Sequence, residues 1–589
     1  MAKYGLKYTA ISAADGEEVW SYSCDRPVGR YTEVYYAGGL IWVQGFDERA
    51  KRSNEGFHNP KGGVSYKFYG LDPKTGQLRR SFLAPVMLMY ACYPHFATDR
   101  FHLAIRPIYF TDWKTGEITR FEATREACQS NCGLAYGMFY GLYTTSTMCN
   151  CVRPAMSGVS AFTCDGKTID GQPADDDRGR LVKGETAPEP TSAPDSSDWP
   201  MFRRDMRRAA AAEAEIPAKK LAVLWRRPLL PAGGAAGGDA SALRHDWRLN
   251  EVCSDSITQA TVAEGKAFVS LTHTRQIVAM GREDGKVAWT FRAPARVDAP
   301  PTIHKGLCLF GCNDGWVYCL RADNGKLVWR FRAAPAHRRV VAYGQVESAW
   351  PVLGGVLVVG DRACVIAGRT TEADGGLYVH ALDVKTGKPL WSKRCVKPDD
   401  GPVGGWNLRG MAEDYVGPAD VLVSNGSAVG IAGHRSGCFI LANGRKVTSG
   451  SLPHFGWNRS QHAQVMKTEY PPMATARGQE CRPTSYRDKK TKKKHYFISM
   501  LGRGGWKIAL PEPKLLDAVA IAGGTVIAGV SNAPNNAAGG ELRLLSVKDG
   551  SVLATHRLPA APAFDGVSVA GGKIYVACQD GSVMCFGPK

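Results

Sequence analysis

The 589-residue sequence contains no run of about 18 or more apolar residues, so no membrane-spanning helix is indicated. Its start, Met1-Ala2-Lys3-Tyr4-Gly5-Leu6, lacks the apolar core of a secretory signal. There is no serine-hydrolase elbow, P-loop or dinucleotide fingerprint, and no His-x-x-x-His pair on a helix-like stretch. Gly502-Arg503-Gly504-Gly505 is a glycine-rich turn that no helix follows, which removes the usual phosphate cradle. Zinc-finger and RNA-binding signatures are missing too. The chain's net charge of +19 (74 Lys and Arg against 55 Asp and Glu) would favour acidic partners, but no nucleic-acid motif accompanies it. Part of the excess is one run, Lys489-Lys490-Thr491-Lys492-Lys493-Lys494, expected to be a solvated loop.

Glycine, by contrast, is abundant at 66 residues, as an all-β chain with many tight turns requires. One phrase recurs: an acidic residue or Asn, a Gly turn, then a strand that carries an aromatic or large apolar residue. Examples are Asp15-Gly16-Glu17-Glu18-Val19-Trp20, Asp284-Gly285-Lys286-Val287-Ala288-Trp289, Asn324-Gly325-Lys326-Leu327-Val328-Trp329 and Asp383-Val384-Lys385-Thr386-Gly387-Lys388-Pro389-Leu390-Trp391. Asp72 to Leu78, Asp112 to Ile118 and Lys548 to Leu553 are further copies. Asp-Gly and Thr-Gly supply the positive φ that a hairpin needs, and the Trp or Leu then packs between neighbouring sheets. A second turn lies upstream, as at Lys305-Gly306, Gly354-Gly355, Gly523-Gly524 and Gly571-Gly572. Two such hairpins make about four strands per roughly 40 residues, the period of propeller blades. A lone sheet of that size cannot bury both faces, whereas radial stacking can.

The periodicity divides the chain. Residues 1–170 hold three or four blade-like units, a partial propeller segment. Residues 171–197 are rich in Pro, Ser, Asp and Glu and read as a linker. Residues 198–589 are expected to form the complete propeller of seven or eight blades. The strand Leu221-Ala222-Val223-Leu224-Trp225 would pair with the last blade at Gly581 to Phe586 and so close the ring. Stretches 229–246 (Gly and Ala-rich) and 456–494 (polar and basic) are expected to be inserted surface loops. Too few blades in 1–170 to close a ring, and a start almost inside a repeat, lead to the expectation of a truncated N-terminus.

Residues Arg296 to Thr302, Cys308 to Ala322 and Trp329 to Val352 carry the most specific form of the repeat. They resemble the PQQ-binding-like β-propeller repeat proteins of bacteria, near the quinoprotein alcohol dehydrogenase-like superfamily. The resemblance implies an exported, periplasmic or extracellular protein whose two propeller segments are joined through a Trp-Pro-x-Phe-Arg element, here Trp199 to Arg203. It also implies fold far more than activity, because propellers host many functions. Quinone-dependent alcohol dehydrogenases have an adjacent Cys-Cys pair and often a Cys-x-x-Cys-His haem site. Neither is present, which leaves pyrroloquinoline quinone (PQQ) with calcium as a cofactor possible in principle but unsupported.

Three sets of residues are candidates for chemistry. Acids precede the innermost strands: Asp298 lies eight residues before Gly306, Glu347 seven before Gly354, Asp517 seven before Gly524 and Asp565 seven before Gly572. A ring of such carboxylates could hold a cation or a polyhydroxyl ligand; alternatively, each caps a local turn. Arg296, Arg338, Arg339 and Gln345 lie nearby in sequence and could pair with them or grip an anion. Among 17 cysteines, Cys92, Cys128, Cys132, Cys149 and Cys151 are candidates for disulfides or a metal site, while Cys308, Cys312, Cys319 and Cys364 read as buried small apolar residues. His95, His102, His454 and His462 are scattered and read as structural or surface residues. Together these features favour a non-catalytic propeller that binds a protein or glycan. The alternative is an enzyme with its site at the propeller's central rim, either a quinone-linked oxidoreductase or a carbohydrate-active enzyme.

Overall fold

The computed structural model describes residues 6–24, 34–46, 66–84, 96–105, 108–121, 132–143, 158–163, 179–189, 195–230, 256–342, 345–369, 374–395, 422–431, 438–447, 472–488, 490–491, 493–532 and 539–588. Among these, every ordered element but one is a strand; the exception is the 3-10 turn Ala218–Lys220. The contacts divide the chain into two compact units, one comprising Met1–Ile169 with two short later segments and the other the rest of 170–589.

The recurring phrase folds as its chemistry requires. In the third-to-fourth-strand hairpins an acid or amide side chain accepts hydrogen bonds from the turn's own amides. Asp284 Oδ1 accepts from the Lys286 amide at 3.0 Å, Asn324 Oδ1 from that of Lys326 at 3.0 Å, and Asp383 Oδ1 from that of Thr386 at 2.7 Å. The following glycine takes a left-handed φ, +63° at Gly285, +76° at Gly325 and +70° at Gly387. That glycine also lies beneath the indole of the preceding sheet. A Cβ added there would come within 2.5–2.7 Å of Trp225 at Gly285, Trp289 at Gly325, Trp329 at Gly387, Trp391 at Gly444 and Trp506 at Gly550. Each indole N–H donates to a backbone carbonyl beside that turn: Trp225 to Arg282 (3.2 Å), Trp289 to Ala322 (3.0 Å), Trp329 to Val384 (2.9 Å), Trp391 to Leu441 (2.8 Å) and Trp506 to Val547 (2.9 Å).

These clasps order the larger unit's sheets. Among the described residues, seven antiparallel sheets follow one another at 261–292, 302–332, 357–395, 422–447, 474–510, 515–558 and 562–588, each of four strands apart from a fifth added to the second and, in parallel at Ala211–Ala212, to the sixth. The last sheet has three strands from the C-terminus and takes its fourth, Leu221–Pro228, from the start of the unit: Leu221 pairs with Pro588 and Pro228 with Ser582. Trp225 on that strand then clasps Gly285 of the first sheet, so the succession returns to its beginning. This is the closure expected from the sequence, and the fold is a β-propeller. Ala554 stands at the register position that Trp289, Trp329 and Trp391 hold in their sheets, for a reason the closure supplies. The next sheet has no third-to-fourth hairpin to clasp, and Val552–Leu558 lies instead against the turn Ala218–Lys220.

The core lies between the sheets. Leu307–Gly311 and Thr525–Ser531 are buried along their whole length, as strands covered on both faces must be. The smaller unit repeats the pattern within itself: a Cβ at Gly76 would meet Trp20 at 2.7 Å, and Trp42 stacks on Trp113 with ring centroids 4.6 Å apart. Its buried His102 packs edge-on to Phe68.

Two stretches differ from expectation. Within 456–494, Gln479–Arg487 is not a loop but a nine-residue strand paired with Lys494–Leu501. Only Cys481 on it is buried, so it carries little hydrophobic alternation by which to be recognised. Within 171–197, Leu181–Lys183 adds a fifth strand to the sheet at 302–332, pairing with Trp329 to Phe331.

The clasp makes the glycines unequal. Gly325→Ala combines a left-handed φ with a clash against Trp289 and is expected to cost about 3 kcal/mol or more, whereas Gly572→Ala (φ +71°, with open space around the added carbon) should cost about 1 kcal/mol. Urea unfolding midpoints of the two variants check this. A second outcome concerns His380, fully buried with Nε2 3.0 Å from the Ala333 carbonyl and Nδ1 2.7 Å from Ser392 Oγ. Burial holds its imidazole neutral, down to about 3. The unfolded chain takes up this proton near pH 6.5 and the folded chain does not. Stability is therefore retained above pH 6.5 and lost as the pH falls toward 3, by up to roughly 5 kcal/mol. His380→Gln should flatten that part of a stability-against-pH profile.

Candidate functional site

The propeller axis is occupied by the chain itself. Trp199 exchanges two backbone hydrogen bonds of 2.8 Å with Val262, and the Pro200 carbonyl accepts from Ile303 at 2.7 Å. The carbonyls of Met206, Ala209 and Ala210 accept from Ser424 (2.9 Å), Thr475 (2.7 Å) and Ile521 (3.0 Å), and that of Ser197 accepts from Gly571 (3.0 Å). One short segment thus reaches six of the seven sheets, which is possible only where they converge.

Its side chains lock it there. The Arg203 guanidinium donates to Asp565 Oδ2 through Nε at 2.8 Å, both side chains being 1% exposed. Gln259 fixes the pair: its Oε1 accepts from the Arg203 amide (2.9 Å) and the Trp199 indole (3.2 Å), while its Nε2 donates to the carbonyls of Asp565 (2.7 Å) and Val567 (2.8 Å). Burial pushes the Asp565 carboxyl up to about 6, with Arg203 acting against it. Arg208, also buried, donates to the Leu422 carbonyl at 3.1 Å, and desolvation draws it down to about 10.

A second buried network lies toward the end of the strands that carries the connections between sheets. Arg296 pairs with Asp298 at 2.9 Å and with Glu347 at 3.0 Å, and Arg369 with Glu347 at 2.6 Å. Asn313 Nδ2 donates to Asp298 Oδ2 (2.8 Å) and Glu347 Oε1 (3.2 Å). Two carboxylates and two guanidiniums balance, and all four side chains are buried. Burial raises the Glu347 carboxyl, while Arg296 and Arg369 oppose the rise.

The structure therefore joins Arg296, Asp298 and Glu347 but places Asp517 and Asp565 on other sheets. The four acids are not equivalent either. The innermost strand of the 357–395 sheet is Leu357–Val359 and turns at Gly360, so Gly354 is not its hairpin and Glu347 belongs to a separate short strand, Gln345–Ser348. Gln345 begins that strand, half-buried. Asn313 and Arg369 complete the network, and no repeat phrase singles them out.

Beside the network opens a cleft of about 550 Å³ whose lining includes Arg275, Trp316, Arg330, His337, Arg338 and Arg339, with Glu347 reaching its inner wall. Arg330 lies over the Trp316 ring at 4.7 Å. Arg338 pairs with Asp374 at 3.1 Å and lies over Trp350 at 5.4 Å.

Cys308, Cys312, Cys319 and Cys364 are buried thiols, as read from the sequence, and burial pushes Cys364 up to about 12. Cys132 is on the strand Cys132–Ala135, while Cys92, Cys128, Cys149 and Cys151 lie outside the described residues. The axis does not suit a quinone held with calcium. Calcium takes six to eight oxygen ligands, whereas Asp565 is engaged by Arg203, and no three His, Cys, Asp or Glu among the described residues group as metal ligands.

Removing Glu347 would leave Arg296 and Arg369 buried without their shared counter-charge. Glu347→Ala is expected to cost about 3–5 kcal/mol, read from the unfolding midpoint.

Residues 222–455 match the PQQ_2 family model, described as outer membrane protein assembly factor BamB. A protein of that name from Burkholderia pseudomallei (strain K96243) is 30% identical over 166 residues, 28% of this chain and 37% of that protein. Another, from Yersinia pestis, is 24% identical over 261 residues, 42% of this chain and 58% of that protein. The chain thus spans less than two thirds of the length of either relative. Among solved structures, the quinohemoprotein alcohol dehydrogenase of Comamonas testosteroni aligns over 67% of this chain and 81% of its own at 14% identity, with a TM-score of 0.41. BamB of Moraxella catarrhalis aligns over 62% and 99% at 13% identity, with a TM-score of 0.37. The matched stretch contains the sheets joined by the clasps of Trp289, Trp329 and Trp391, and these residues form PQQ-like β-propeller repeats.

Proposed function

We propose that this chain is a non-catalytic propeller that binds a protein partner outside the cytoplasm, in the periplasm or at the cell surface. The observation that carries the reading is the engagement of its acids. Asp298, Glu347 and Asp565, all offered by the sequence for chemistry, are each held by a buried arginine. General acid–base work needs a carboxyl within reach of a substrate proton. The axial segment fills the place where a ligand would meet a ring of acids. Among the described residues a cleft stays open near the connection end, lined by arginines and an indole, residue types enriched where proteins meet. The family description and the two relatives, named for outer membrane protein assembly, support a protein ligand over a glycan. No helix among the described residues is long and apolar enough to cross a membrane.

A photoactivatable residue at Val346, 54% exposed on the cleft's border, should give discrete adducts with an identified protein in cells that express the full chain. The same residue at Val552, 58% exposed on an outer strand, should not. Adducts at neither position, or equally at both, would overturn the reading.

A further inference from the structure

We infer that the cleft beside the Arg296 network is the recognition site, and that it takes an acidic protein segment through that segment's carboxylates; the inference rests on the protein-binding reading above. Of the charged groups that line the cleft, Glu347 is already held by Arg296 and Arg369, which are not part of the lining, and Arg338 is paired with Asp374. That leaves Arg275, Arg330 and Arg339 facing a single further acid, Asp314. Asp314 is itself engaged: it accepts the Tyr318 hydroxyl at 2.6 Å and the Trp316 amide at 3.0 Å. The cleft thus carries an excess of positive charge that its own acids do not neutralise.

The geometry fits carboxylates carried on a peptide. Arg330 Nε is buried with no hydrogen-bond partner among the described residues, and an unmet guanidinium donor in a cleft wall calls for an anionic oxygen. Arg339 also lines the cleft and is exposed, at the start of the strand Arg339–Ala342. Arg275 is anchored by its bond to the Pro294 carbonyl at 3.0 Å, which fixes the fork at low entropic cost. Trp316, 9% exposed beneath the Arg330 guanidinium, adds an apolar edge to the lining and holds that guanidinium in place. A cleft of about 550 Å³ suits a few residues of extended peptide and is too confined for a duplex groove-to-groove contact.

The test uses the full chain and a fluorescein-labelled hexapeptide of alternating Glu and Leu, with its Lys-for-Glu counterpart as control. Anisotropy should show binding of the acidic peptide only, weakening as salt rises. Arg339→Glu, a change at an exposed position, should lower affinity by about tenfold or more. Arg487→Glu, on the exposed end of a strand in another sheet, should leave it within about twofold. Equal affinity in the two variants overturns the inference, as does tighter binding of a single-stranded oligonucleotide or inorganic phosphate that displaces the peptide. Protein adducts at Val346 that persist unchanged in Arg339→Glu would sink the acidic-segment inference while leaving the protein-binding reading intact; absence of adducts would sink the reading itself.

Discussion

An indole laid over the glycine of the next sheet's hairpin sets the spacing between sheets. The contact works only because three conditions coincide. The turn must adopt a left-handed φ, the residue there must have no Cβ, and a carbonyl beside it must face the ring N–H. Gly285, Gly325, Gly387, Gly444 and Gly550 meet all three. Each clasp buries a large apolar surface and satisfies its one polar atom, so it tolerates little sliding. A directional contact repeated between sheets fixes their relative twist, and a constant twist between like sheets leads to a ring.

A ring of inward-facing strands creates a problem at its centre, where the sheets converge. This chain resolves it with its own polypeptide. The segment beginning at Ser197 offers carbonyls to the amides of six sheets, and Arg203 meets Asp565 inside. A guanidinium in so dry a place is tolerable only with its carboxylate and a supporting amide, and Gln259 is that amide. The same rule governs the Arg296, Asp298, Glu347 and Arg369 network.

Much of this was legible in the residues. The hairpins announce themselves because Asp-Gly and Thr-Gly have one geometric use, and the Trp that follows at a fixed distance has one place to go. The strand at Leu221 was recognisable as the closing one because a blade at the C-terminus lacked its fourth strand. Register within the 345–395 stretch was not legible. Gly354-Gly355 looks like a hairpin, yet a Cβ at Gly355 would meet Ala299 at 3.0 Å, so this pair serves a close approach between neighbouring segments and not the innermost turn. The strand Gln479–Arg487 was hidden because its faces do not differ in polarity. Arg369 and Asn313 were hidden for a different reason: they meet Glu347 and Asp298 only through the stacking of sheets, which no local spacing encodes.

The two ends of the strands then differ in what they can do. At the axis, polar groups are spent on one another, and adding a ligand would require breaking backbone bonds to several sheets at once. Near the connection end, the loops between second and third strands and the passages between sheets vary in length without disturbing any clasp. Arg275 comes from such a loop, Trp316 from the strand end beside the corresponding loop of the adjacent sheet, and Arg338 and Arg339 from the passage that follows. A groove between two blades is therefore where a rigid, self-filled propeller can acquire a specific surface. The clasps of Trp289 and Trp329 hold the sheets on either side at a fixed separation, so the cleft presents its guanidiniums already in position.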